Sequence, residues 1–126
     1  MVCDAVLTRA GDIRRLYDRG AVLRSQDVVL VYLHTEGDSC RILVVASQKV
    51  GRAVQRNRAK RLLREAHRRI RPRGEFAGVD LALIARAGAA SISGRAMEEQ
   101  VASLYSLAHL ITERAPDSSG ETTNST

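Results

Sequence analysis

Residues 52–70 read RAVQRNRAKRLLREAHRRI, and two patterns run through them at once. At about 100° per residue, Ala59, Leu62, Leu63, Ala66 and Ile70 fall on one arc, the face a helix must pack on a core. Arg56, Lys60, Arg64 and Arg68 recur at i, i+4 on another, with Asn57 and Arg61 beside them. The resulting cationic stripe runs about 18 Å at about 1.5 Å per residue. Pro72, Arg73 and Gly74 end the helical pattern, because proline cannot continue the hydrogen-bond ladder.

Such a ladder repels itself: like charges at i, i+4 each cost about 0.2–0.5 kcal/mol. From Lys49 to Arg73 there are eleven basic residues against one acid, Glu65. An external polyanion would relieve the repulsion. Nine of the eleven are arginine, which suits bidentate phosphate contact and stacking on bases. A lipid-binding helix would need a free apolar face, whereas the small arc here is claimed by the core. The remainder of the chain holds nine basic residues against thirteen acids, within a total of +6. The pattern describes a slightly acidic body carrying one concentrated basic element.

Outward from this helix, the period changes. Val28 to His34 and Arg41 to Ser47 are rich in β-branched and aliphatic residues, with Glu36, Gly37, Asp38 and Ser39 between them, and predict an antiparallel hairpin. A brief strand precedes it near Ala21 to Arg24. Beyond the helix, Val79 to Arg86 predicts a further strand bounded by Gly78 and Gly88. Ile13, Leu16 and Tyr17 mark a first helix from about Gly11 to Arg19, stopping at Gly20. Met97, Val101, Leu104, Ala108 and Ile111 mark a last helix from about Ala96 to Ile111, with Glu98 and Glu99 expected in its first turn.

At 126 residues the chain fits one domain, and no repeat or linker divides it. We expect a single RNA-binding domain over residues 1–114. Residues 115–126 are mostly Ser, Thr, Gly, Asn and acids without apolar period, and are expected to form a disordered polar tail. With 44% hydrophobic but only 3% aromatic residues, the core must be built from aliphatic side chains. Cys3 and Cys40 match no zinc or redox spacing and are expected as unpaired thiols in a reducing compartment. The N-terminus lacks a signal pattern and no segment approaches the roughly 20 apolar residues of a membrane span, so a cytoplasmic location is expected.

Catalytic constellations are missing from the sequence. His34, His67 and His109 lie on different elements and read as core or surface histidines rather than ligands. No acid pair, nucleophile motif or Gly-rich phosphate loop is evident. No catalytic residue is therefore expected in the protein, nor an organic cofactor; any metal site is left open.

The stretch 47–66, SQKVGRAVQRNRAKRLLREA, resembles the signature of the bacterial ribonuclease P protein component, whose core here is Arg56, Asn57 and Arg58 followed by Lys60 and Arg61. The order of elements fits that family from about Leu7 to Ile111. The resemblance implies an α+β fold, a two-layer α/β sandwich of order α-β-β-β-α-β-α like ribosomal-protein domain 2. It also implies a left-handed βαβ crossover, opposite to the usual rule.

It further implies a subunit of an endoribonuclease that removes the 5′ leader of precursor tRNA, a hydrolysis carried out by the RNA subunit with Mg²⁺. The catalytic RNA would be met by Lys49 and Arg52 in the lead-in loop, by Arg56, Asn57 and Arg58, and by Lys60, Arg61, Arg64 and Arg68. The leader would lie in a cleft between the first helix and the sheet, at Ile13, Tyr17, Val31 and Tyr32. Members of the family often carry aromatics where Ile13 and Val31 stand. Stacking worth about 1–3 kcal/mol per aromatic is lost at each. Leu43, Gln48 and His67 also depart from the family pattern, outside its Arg56 to Arg61 core.

The alternative reading is a general RNA-binding or ribosome-associated module with no part in cleavage. A DNA-binding helix ranks below both, because the chain lacks zipper heptads and a short turn to a partner helix.

Overall fold

Strand β5 (Val79–Ala85) is the centre of the molecule, and its sequence says why: VDLALIA is apolar almost throughout, as a strand covered on both faces must be. In the computed structural model, which describes residues 5–111, six of its seven residues are buried. Around it the chain runs β1 (Ala5–Val6), α1 (Ala10–Arg19), β2 (Ala21–Arg24), β3 (Val28–His34), β4 (Cys40–Ala46) and α2 (Ala53–Ile70). After β5 comes α3 (Gly94–Leu107), and 3₁₀ turns occupy 48–50, 71–73 and 89–91.

The five strands lie in the order β1-β4-β5-β3-β2. The expected hairpin of β3 with β4 does not form: β5 lies between them, antiparallel to β3 and parallel to β4. The connecting loop instead wraps the start of β5. Thr35 N–H donates to Gly78 O at 2.7 Å, and Gly78 N–H donates to Ser39 O at 3.0 Å. Gly78 has φ +71° and a Cβ there would come within 2.7 Å of Gly37 O, so only glycine fits.

α2 is the crossover between the parallel strands β4 and β5 and packs beside α3 on one face of the sheet. There Leu63, Ala66, Met97, Val101 and Tyr105 close over Leu30, Ile42, Leu81 and Leu83, each fully buried leucine worth about 1.5–3 kcal/mol. The α+β sandwich is the expected one, with α1 laid on the opposite face, where Leu16 packs on Val31 and Ala82.

Three expectations need correction. α3 begins two residues early, at Gly94 with Ser93 capping Ala96 N–H at 3.0 Å, so Glu98 and Glu99 fall outside the first turn. It also ends early, at Leu107: His109 takes φ 62°, with Leu110 N–H donating to Tyr105 O at 2.9 Å and His109 N–H to Ser106 O at 3.0 Å. This is the Schellman ending, with histidine where glycine is usual. Cys40 is disulfide-bonded and no described cysteine is free, which overturns the expectation of unpaired thiols; Cys3 and the expected tail lie outside the described residues.

Candidate nucleic-acid interface

The sequence places the two faces of α2 as its wheel predicts. Ala59, Leu62, Leu63, Ala66 and Ile70 are buried, while Asn57, Arg61, Arg64 and Arg68 are exposed and Arg56 and Lys60 half-buried at the flank. Lys49 and Arg52 stand exposed in the lead-in turn. At the helix start Gln55 Oε1 accepts from Arg52 N–H at 2.8 Å, half of a capping box. His67 joins the buried face, a residue the aliphatic wheel did not flag: its ring lies edge-on to Phe76 and Tyr105, and its Nδ1 shares a 2.8 Å hydrogen bond with the Tyr105 hydroxyl.

The basic residues divide by what they touch. Arg58 Nε donates to Ala90 O at 3.0 Å and its other arm reaches Ile92 O at 3.4 Å, tying α2 to the loop before α3. Arg69 and Arg73 reach Glu98 at 3.5 and 3.3 Å. Arg56 donates to Gly51 O at 2.8 Å. By contrast Lys49, Arg52, Lys60, Arg61, Arg64 and Arg68 make no ion pair among the described residues. These uncompensated cations lie on the lead-in turn and on the flank of α2 away from α3. On the α3 flank, a hollow of about 380 Å³ is lined by Leu62, Glu65, Arg69, Arg95, Glu98 and Glu99 and carries both signs of charge.

The other face of the sheet holds a second surface. Strand register sets three rows there: Leu33, Asp80 and Arg41; Val31, Ala82 and Leu43; Val29, Ile84 and Val45. α1 covers the first two, and the third is half-buried. Ile13 is half-buried against this face, Tyr17 is 43% exposed above it, and Val31 lies beneath at 3% exposed. Tyr32 is not with them. Side chains alternate along a strand, and Tyr32 points to the α3 side, edge-on to His34 with ring centres 6.1 Å apart.

Arg41 is the polar feature of this face and sequence reading missed it. Its Nε and Nη2 meet both oxygens of Asp80 at 3.0 and 2.8 Å, and its Nη1 meets Asp12 of α1 at 2.8 Å. The Asp80 hydrogen bonds, opposed in part by desolvation, hold the guanidinium above its ordinary range. An isolated Asp in an apolar run, here Asp80, was the available signal. Among the described residues no three His, Cys, Asp or Glu side chains gather to hold a metal, and Asp12 and Asp80 are engaged by Arg41, so these residues do not fit a Mg²⁺ site of their own.

A family profile described as Ribonuclease P matches residues 1–109. The ribonuclease P protein component of Dehalococcoides mccartyi is 36% identical over 107 residues, covering 85% of this chain and 87% of that one. That of Brevibacillus brevis is 32% identical over 116 residues, covering 91% and 90%. The structure of the Staphylococcus aureus RNase P protein aligns at TM-score 0.75 and 23% identity, covering 86% of this chain and 98% of that one. The Thermotoga maritima protein aligns at 0.70 and 24%, covering 80% and 94%. The two structures share the fold, and the sequences carry the kinship: this chain belongs to the ribonuclease P protein family, the protein subunit, working with RNA, of an endoribonuclease that makes the 5′ ends of tRNA.

Proposed function

We propose that α2 and its lead-in turn bind the catalytic RNA of ribonuclease P, and that the cleft between α1 and the sheet receives the 5′ leader of precursor tRNA. In this reading residues 1–114 act as one RNA-binding domain in the cytoplasm, followed by a polar tail at 115–126. Mg²⁺ and the hydrolysis belong to the RNA.

The carrying observation is the set of six cations without a counter-charge among the described residues, four of them on one flank of a helix. Phosphates are the partner that spacing and arginine content favour. Arg56 and Asn57 extend this surface, while Arg58 is committed to the Ala90 and Ile92 carbonyls through two of its nitrogens. In the cleft, Ile13 and Tyr17 form the wall and Val31 the floor. Tyr32, on the opposite face, is not part of this cleft. Neither DNA nor a membrane is part of this reading; no described helix is long and apolar enough to cross a bilayer.

The test is cleavage of a precursor tRNA by the cognate RNA subunit at low Mg²⁺, with and without the protein, beside a protein-only control. Stimulation with no activity from protein alone is expected. Tight RNA binding without stimulation would leave the general RNA-binding module standing instead.

A further inference from the structure

Helix α1 is held to the sheet by little apolar contact. Of its ten residues only Leu16 is fully buried, and Ile13 is half-buried. Hydrophobic contact is non-directional, so one leucine and part of an isoleucine do not fix how a helix is turned. Two other features do. At its C-terminal end Gly20 lies so close to Val31 and the Tyr32 carbonyl that a Cβ would come within 2.8 and 2.9 Å of them. At its N-terminal end Asp12 is joined to Arg41, which grips Asp80 with its other two nitrogens.

The Asp80 carboxylate side chain is 3% exposed and that of Asp12 16%. A buried ion pair adds little net stability compared with apolar packing, but its fixed fork geometry sets orientation. Between these two pins lie Ile13 and Tyr17, about one turn apart. Just ahead of α1 the chain is tied to β4, with Leu7 N–H donating to Ile42 O at 2.9 Å. Releasing the Asp12 pin therefore lets the helix turn and shift on the sheet between that tether and Gly20, which lies about 12 Å from Asp12 at about 1.5 Å per residue.

We infer that Asp12, Arg41 and Asp80 form a latch that sets the width of the cleft between α1 and the sheet, and that Arg41 and Asp12 are positioning residues for the single-stranded leader. This rests on the reading of that cleft as the leader site. The latch lies on the face of the sheet opposite α2, so its loss leaves the basic stripe in place.

The test uses the holoenzyme reconstituted from the full chain and its RNA subunit, with two substrates: a precursor tRNA carrying a long leader and one carrying a single leader nucleotide. D12N removes the second anchor but leaves the paired Arg41 and Asp80. R41K keeps a charge between the two acids while losing the two-sided fork, so it guards against a D12N that fails to fold. Melting of each free protein is followed in parallel.

For both variants KM for the long leader is expected to rise about fivefold, about 1 kcal/mol of lost positioning. KM for the short leader, kcat and affinity for the RNA subunit stay as in the parent. An equal loss on both substrates, or no loss in a folded variant, overturns the latch and leaves the three residues a structural brace. If the unaltered protein itself does not distinguish the two leaders, the leader reading of the cleft fails first and the latch role with it.

Discussion

The hydroxyl of Tyr105 is fully buried, with His67 Nδ1 at 2.8 Å. Burial pushes this phenol well above the usual tyrosine range. Because the folded-state value is raised, Tyr105 is protonated in both states below about pH 10, where tyrosines ordinarily titrate. Above that the unfolded chain ionises and the folded chain resists, so stability falls as pH rises. Y105F should therefore cost about 1 kcal/mol near neutrality through the lost hydrogen bond. The gap from the parent should shrink above about pH 10, read as urea midpoints at the two pH values. The sequence left this open: His67 reads there as a core or surface histidine, and nothing in the run of arginines around it names Tyr105 as its partner. On the wheel His67 falls about 20° from both Arg56 and Lys60, at the edge where the stripe meets the buried arc. Asp80 was likewise invisible as a partner, because its counter-charge comes from a neighbouring strand that only the sheet order brings alongside.

At the scale of the element, α2 was almost wholly legible, since a wheel separates apolar from cationic positions without knowledge of the rest. What the wheel could not tell is which cations are already committed. Arg58 and Arg64 look equivalent in sequence, yet Arg58 is bonded to the carbonyls of Ala90 and Ile92 and Arg64 has no ion pair among the described residues. R64A is expected to lower the salt slope of RNA-subunit binding by about one unit, as loss of one phosphate contact does. R58A should lower the melting temperature of the free protein and leave that slope nearly unchanged; filter binding across a salt series, with a melt of each variant, separates the two. α3 shows the converse limit. Its apolar spacing continues through Ala108 and Ile111, both buried, but the left-handed turn at His109 breaks the helix while keeping those side chains in the core. Periodicity records burial, and burial outlasts the helix.

At the scale of the whole molecule, four of the five strands were legible, while the two-residue β1 ahead of the first helix and the order of the strands were not. β3 and β4 adjoin in sequence, point in opposite directions and are joined by a polar loop, every local sign of a hairpin. The deciding feature lies some 40 residues on, in the seven-residue apolar run of β5 and in Gly78, which the loop grips from both sides. The placement of β5 dictates an order of events for a chain leaving the ribosome. Everything before Val79 includes four of the five strands, yet β3 and β4 have no ladder to share until the last strand slides between them. Non-local pairing of this kind is slow, because loop closure precedes its reward. A fragment ending at Gly78 should therefore show no cooperative melt and no dispersed amide spectrum, while the chain through Ile111 shows both. Until that final strand arrives, the nascent protein carries its arginine-rich helix without a fold behind it, in a cellular compartment crowded with RNA.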